Sequence, residues 1–311
     1  MFKIKTLVLI ILFILPNINY GQYTDQINSN RPGETMSAFS VGKSVFQLET
    51  GFYGIKENHS ILNYNANGYG LDMTMRWGLF TEKLEMIADL QYQYEKFNSL
   101  MTSIDKSAMK KTVLGAKYLI YDPFKNYEKK INVYSWKANH AFNWHQLIPA
   151  VSVFAGANLT FSDNPYYFSP KGAVSPKVML ITQNHLGDGS WVFVTNIIGD
   201  YIGTQYPSYN YVLTLTKGFN DHWSGFIENQ GIKSDFYSDA IVRGGAAFLV
   251  NKDMQIDASI SSSLKTTPSI LYGGVGLSWR FADNYREVRM PIDTGNSDKK
   301  AKKKAKKTKK G

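Results

Sequence analysis

Hydrophobic and polar residues alternate through residues 69–95, on both sides of a short turn at 80–83. The apolar set is Tyr69, Leu71, Met73, Met75, Trp77, Leu79, Leu84, Met86, Ala88, Leu90, Tyr92 and Tyr94. Side chains of a β-strand alternate between two faces, so this pattern predicts a hairpin with one apolar face and one polar face. Each arm is close to the roughly 9–11 tilted residues that cross a bilayer core. The stretch therefore predicts one hairpin of a membrane β-barrel.

The same alternation recurs along the chain and predicts an all-β fold, a transmembrane antiparallel up-and-down β-barrel of about 12 strands. Wider polar links alternate with four tight connections, which are residues 80–83, 187–189, 218–222 and 251–253. Outer-membrane barrels have short periplasmic turns and longer external loops. The tight turns therefore predict that the N- and C-termini are both periplasmic.

The N-terminus has the order of a secretory signal peptide, with basic Lys3 and Lys5 before a short apolar core. We assign residues 1–21 to this signal, which predicts an outer-membrane location in a Gram-negative cell. Residues 22–43 are too irregular for a strand and are expected on the periplasmic side or inside the lumen. Within them, Arg31, Pro32 and Glu34 are candidates for a plug.

The barrel is predicted over residues 44–281, with a periplasmic insert at 122–146 and a tail at 282–311 that is disordered from about residue 296. The net charge of +10 misleads, because nine lysines lie between Lys299 and Lys310 and the barrel region is nearly neutral. In the periplasm this tail is expected to meet an acidic protein or cell-wall polymer rather than nucleic acid. The alternative is a solvated tail without a specific partner.

Charged residues occupy the inward positions of the predicted strands. The candidates for lining the lumen are Glu49, Asp72, Arg76, Glu85, Asp89, Lys117, Glu228, Arg243, Asp257 and Arg280. They fit two interpretations. One is a mutually paired lattice that fills and stiffens the lumen, and the other is a narrow polar path for small solutes.

Chemistry other than transport is weakly supported. His140 and His145 in the insert lack the spacing and the accompanying ligands of a metal site. No local motif marks a nucleophile with its base and acid, and the chain has no Cys. We expect no catalytic residue, metal or cofactor, and hence no enzyme. The aromatic residues Tyr166, Tyr167 and Phe168 in a long loop are interpreted as an interfacial anchor, with a ligand-capture patch as the alternative.

Several short motifs resemble one bacterial outer-membrane family. They are the Asn-Arg-Pro-Gly-Glu-Thr segment from Asn30, the Gln-Leu-Glu-Thr-Gly strand from Gln47, the hairpin at 78–85 and the strand at 113–118. The family is the transporter-like barrels named for the MetA pathway of phenol degradation. The Gln-Leu-Glu-Thr-Gly-Phe style and the signal exit at Tyr20 also resemble Bacteroidota proteins.

The resemblance implies a channel for small, including hydrophobic, compounds. The insert and the lysine tail depart from the family pattern and weigh against simple transport. We therefore expect a porin-like passive channel or transporter, surrounded by outer-membrane lipid, for an unidentified small solute. The alternative is a non-transporting accessory or structural subunit of an outer-membrane complex that docks through the insert and the basic tail.

Overall fold

Twelve antiparallel strands form one closed barrel, in which each strand pairs with its sequence neighbours and the last pairs with the first. The computed structural model describes residues 26–125, 127, 134, 144–161, 164–167, 173–187, 189–235 and 237–282. The strands are β1 (Phe46–His59), β2 (Tyr64–Gly78), β3 (Leu84–Ser99), β4 (Ser103–Tyr121), β5 (Ala150–Leu159), β6 (Val174–Leu186), β7 (Trp191–Asp200), β8 (Ser208–Gly218), β9 (Trp223–Ser234), β10 (Ser238–Asn251), β11 (Met254–Ser263) and β12 (Ser269–Phe281). The predicted all-β, up-and-down barrel of about 12 strands is confirmed.

The two faces of the barrel wall meet different environments, one outside the barrel and one in its lumen. Large apolar side chains are exposed on its outer surface, including Leu71, Ile227, Ile260 and Val275. Polar and small side chains of the same strands are buried on the inner side, together with an apolar cluster on β3 to β8 that includes Phe154, Ile181 and Val212. Lipid can face the first set, whereas the second must find partners inside. The period-two alternation of the sequence is the direct expression of this arrangement.

The two mouths of the barrel differ. We call the end where β1 begins and β12 ends the terminal mouth, and the opposite end the loop mouth. Four tryptophans lie at strand ends on the terminal mouth and are 40–52% exposed, namely Trp77, Trp191, Trp223 and Trp279. Tryptophan prefers the boundary between lipid hydrocarbon and water. This ring therefore marks where a membrane boundary would meet the wall.

The link between β3 and β4 is shorter than the polar stretch at 98–107 predicts. β3 continues to Ser99 and β4 begins at Ser103, so only residues 100–102 connect them. Strands that extend beyond the membrane core can carry polar residues on both faces. A polar stretch at the loop mouth is therefore compatible with regular strand pairing, which explains the difference.

The half of β4 nearest the loop mouth extends beyond the residues that pair with β5. Within the described residues, β5 pairs with β4 from Val113 to Tyr121. Beyond that point the Tyr166 hydroxyl donates to the carbonyl oxygen of Lys106 at 3.4 Å. The Tyr167 hydroxyl donates to that of Lys110 at 2.9 Å. The two loop tyrosines thus supply hydrogen-bond partners to a strand edge.

The connection between β4 and β5 lies mostly outside the described residues, and so do His140 and Phe168. In its described part, Trp144–Leu147 forms one turn of 3-10 helix. His145 stacks on Tyr127 with ring centroids 3.7 Å apart. Among the described residues no cluster of His, Cys, Asp or Glu is arranged to hold a metal ion. No helix in the described part of the chain is long and apolar enough to span a membrane.

The exposed apolar belt gives a testable prediction. Replacement of Ile227, which is 67% exposed in the middle of β9, by Arg should lower the free energy of unfolding by about 2–4 kcal/mol. The cause is the charge placed at the depth of the bilayer centre. Urea unfolding in phospholipid vesicles, followed by tryptophan fluorescence, measures the change.

The matched control is Tyr209→Arg at the start of β8, near the loop mouth, where the cost should fall to about 0–1 kcal/mol. Equal losses at both positions would show that Ile227 does not face the hydrocarbon core.

Candidate functional site: the occupied lumen

The interior of the barrel is occupied by residues 26–45, which we call the N-terminal segment. At the terminal mouth the Ile27 amide donates to the carbonyl oxygen of Lys252 at 2.8 Å. The segment returns to the same mouth, where the Val41 amide donates to the Glu85 carboxylate at 2.8 Å. It then continues directly into β1. The segment therefore enters and leaves through one opening.

Inside the barrel, the segment hydrogen-bonds to side chains around nearly the whole wall. Strands β1 to β9, β11 and β12 each contribute at least one of its partners, and one from each strand is named here. These are Glu49, Arg76, Glu85, Lys117, Ser152, Gln183, Asn196, Thr214, Glu228, Gln255 and Ser278. Most of these bonds satisfy backbone groups of the segment, which would otherwise be buried without partners. Side chains of the wall thus make the hydrogen bonds that water would otherwise make to the backbone of the segment.

The first charge cluster lies on β1 to β4 and is fully buried. The Arg76 guanidinium reaches Glu49 at 3.2 Å and Glu85 at 3.1 Å. Lys117 lies 2.8 Å from the same Glu85 carboxylate. Arg76 also donates to the carbonyl oxygens of Asn28 at 2.7 Å and Phe39 at 3.3 Å. The cluster therefore binds the N-terminal segment both near its start, at Asn28, and near its end, at Phe39.

The second cluster surrounds Arg31 in the middle of the segment. Its guanidinium pairs with Asp72 of β2, and its Nη2 lies 3.3 Å from Asp257 of β11. Burial by itself lowers the pKa of Arg31, but the carboxylates of Asp257 and Asp72 raise the pKa above its ordinary value. Arg31 is therefore a permanent cation that ties the segment to two strands.

The third cluster holds the opposite side of the segment. Glu228 of β9 pairs with Arg243 of β10. Its carboxylate also accepts the Glu34 amide at 3.1 Å and the Thr35 hydroxyl at 2.8 Å. These bonds fix the segment at the point where it crosses from the β1 side of the lumen to the β9 side.

The Glu34 side chain is 41% exposed and its carboxylate lies 3.7 Å from Lys111, which also pairs with Asp89 at 2.5 Å. Partial removal of the carboxylate from bulk water by itself raises the pKa of Glu34. The charges of Lys111, Arg243 and Lys177 outweigh this effect, so its pKa lies below the ordinary value. Glu34 is thus an anion inside the lumen.

The structure places all ten candidate lumen residues on inward positions of their strands. Eight belong to the three clusters above, and Asp89 pairs with Lys111. Arg280 lies at the terminal mouth, 2.7 Å from Asp253. Arg31 and Glu34 sit in the middle of the lumen, and Pro32 lies between them along the chain. Whether any of these residues lines a permeation path stays a prediction.

Sequence reasoning missed the neutral partners Gln183, Asn196 and Thr214. They share the inward phase of the charged residues on their strands. Their even spacing from inward positions is the sequence feature that could have identified them.

A cavity of about 860 Å³ lies between the N-terminal segment and the wall made by β6 to β11. Its lining combines apolar Val194, Phe226 and Ala247 with polar Gln183 and Thr214. Near the terminal mouth, Phe124 and His185 also line the cavity, with ring centroids 5.1 Å apart. A small solute therefore finds both apolar surface and hydrogen-bonding groups beside the segment.

A family model described as putative MetA-pathway of phenol degradation matches residues 29–281. The chain belongs to this family. The matched region of this MetA-pathway family member includes nearly all of the N-terminal segment as well as the complete barrel. No curated protein gives a significant match.

Solved barrels resemble this family member in fold. An outer membrane channel from Pseudomonas putida F1 has a TM-score of 0.51 at 9% identity, covering 81% of this chain and 100% of that one. The translocator domain of the autotransporter NalP from Neisseria meningitidis has a TM-score of 0.46 at 9% identity, covering 77% and 89%. The KdgM porin in complex with disordered oligogalacturonate has a TM-score of 0.44 at 10% identity, covering 75% and 99%.

The first charge cluster gives a testable prediction about stability. Glu85→Ala would leave the buried Arg76 and Lys117 cations without their shared carboxylate. Removing one partner of a buried ion pair costs about 3–5 kcal/mol. The temperature at which the barrel loses its heat-modifiable gel mobility should therefore fall.

Glu57→Ala provides the control, since Glu57 lies near the loop mouth and accepts a bond from Tyr64. Its effect should be much smaller. An unchanged transition temperature for Glu85→Ala would contradict the structural role of the cluster.

Proposed function

We propose that this protein is a passive outer-membrane channel for small solutes, and that its N-terminal segment is a plug. One observation carries the proposal. The closed barrel has an apolar outer surface and buried charges inside, and its interior is occupied by the chain's own segment beside a cavity of about 860 Å³. Family membership and a fold shared with an outer membrane channel from Pseudomonas putida F1 support it. The role is non-enzymatic.

The contacts of the segment favour a removable plug over a permanent core. Its partners in the wall are mainly side chains, and the twelve strands pair with one another without it. Water can replace hydrogen bonds to side chains when the segment leaves. The twelve strands then stay paired as a complete barrel, and the inward charges line a water-filled path through it. Their mixed signs favour small neutral or zwitterionic solutes over large ions.

We also infer that the terminal mouth faces the periplasm of a Gram-negative cell, and the Bacteroidota-type features of the sequence suggest the bacterial group. All four connections that the sequence predicts to be tight lie at this mouth and favour this orientation, although the connections at 60–63, 100–102 and 235–237 on the loop mouth are equally short. It would bring the lysines between Lys299 and Lys310 near anionic cell-wall polymer or an acidic protein. Protease added to intact cells should leave this tail uncut, whereas opening the outer membrane should expose it.

Single-channel recording in planar bilayers tests the proposed channel. Deletion of residues 22–42 should raise the unitary conductance severalfold over that of the full mature barrel, because the lumen is then empty. Both proteins are refolded and checked by heat-modifiable gel mobility before recording. Equal, non-zero conductance of the two proteins would reject the plug but not the channel. Silence from a correctly folded deletion variant would reject the channel and favour the accessory-subunit alternative.

A disulfide lock sharpens the test. The hydroxyl oxygens of Ser29 and Ser278 lie 2.7 Å apart, and the chain has no other Cys to interfere. The Ser29→Cys/Ser278→Cys variant should conduct less than the wild type when oxidised and recover when reduced. The single Ser29→Cys variant is the control and should not respond to reductant. A locked barrel that conducts like the reduced form would show that the segment is not a movable plug.

A further inference from the structure

Four inward-facing residues form one row across four neighbouring strands. Asp72 of β2 pairs in register with Gly51 of β1. Gly51 pairs with Gly276 of β12, and Gly276 pairs with Asp257 of β11. The row therefore reads aspartate, glycine, glycine, aspartate around the inside of the barrel. The two carboxylates flank the bare backbone at Gly51 and Gly276, which we call the floor of the row.

The guanidinium group of Arg31 lies on this floor. A Cβ atom added at Gly51 or at Gly276 would overlap its nitrogen atoms. The Asp72 carboxylate pairs with Nη1, whereas the Asp257 carboxylate lies 3.4 Å from Nε and 3.3 Å from Nη2. The flat cation thus has backbone beneath it and an anion at each end. The site is shaped for a guanidinium group rather than for a charge in general.

The chemistry of the row is selective. A guanidinium presents its donors in one plane and can bond two carboxylates at once, whereas an ammonium acts as a point charge. The Tyr272 hydroxyl lies 3.4 Å from the second oxygen of Asp72 and helps to orient that carboxylate. The Asp257 side chain is fully buried, while Asp72 and Arg31 remain partly accessible at 22% and 14%. Arg31 also lines the cavity beside the segment.

We propose that this row is a binding site for solutes that carry a guanidinium or amidinium group, and that Arg31 is a built-in occupant which such a solute displaces. The inference rests on the proposed role of the N-terminal segment as a plug. Because Arg31 is tethered, its effective concentration at the row is high, and a free cation competes poorly with it. Displacement of Arg31 removes the tie between the segment and strands β2 and β11.

The test is calorimetric titration of methylguanidinium chloride into the full mature protein in detergent, with ionic strength held constant by NaCl. Arg31→Ala should bind methylguanidinium saturably in about the millimolar range, at least about tenfold more tightly than the wild type. The variant lacking residues 22–42 vacates the row in a second way and should behave like Arg31→Ala. Tetramethylammonium should give no saturable heat with any of these proteins.

Matched glycine variants separate the shape of the site from its charge. In the Arg31→Ala background, Gly276→Ala keeps both carboxylates but fills the floor, so methylguanidinium binding should be lost. Gly273→Ala on the same strand has room for its methyl group, 3.8 Å from the Ser259 carbonyl oxygen, and should bind normally. Heat-modifiable mobility confirms that each variant is folded.

Two results would overturn the proposal: no saturable binding in either vacated variant, or equal binding in the Gly276→Ala variant. The titration does not require ion conduction. Conductance without methylguanidinium binding would reject this site alone, and binding in a folded barrel that never conducts would reject the channel alone.

Discussion

Charges buried inside the barrel need partners, because removing an isolated charge from water costs several kcal/mol even after the surroundings relax. The wall and the N-terminal segment meet this requirement together. Arg76 serves two wall carboxylates and two carbonyl oxygens of the segment. Arg31 serves Asp72 and Asp257 from the opposite direction. The hydrogen bonds and ion pairs of these buried charges therefore determine where the segment lies.

The barrel could be predicted from the sequence because each strand faces two different solvents. Residues such as Leu71 meet lipid and their neighbours such as Asp72 meet the lumen, so the period-two pattern is local and strong. The strand number followed from this pattern, and the tight turns helped to separate the strands. Where both faces of a strand contact water, as at the start of β4, the alternation is absent and the polar sequence predicts a loop instead of a strand.

The lumen could be predicted only as a set of residues. Gly51 and Gly276 are far apart in sequence, and nothing local to either strand reveals that barrel closure places them side by side. The same holds for Arg31, whose two partners lie on strands from opposite ends of the chain. Register and closure are properties of the whole sheet, so the sites they create appear only in three dimensions.

The return of the N-terminal segment to its own point of entry has a mechanical consequence. A loop that enters and leaves by one opening can be withdrawn without passing a chain end through the wall. Tension on the chain ahead of Ile27 loads the contacts in sequence, beginning at the Lys252 carbonyl on the rim and reaching Arg31 only after those before it have broken. Pressure from the opposite mouth loads all of them together. If the segment is the plug proposed above, its resistance to release depends on the direction of the force.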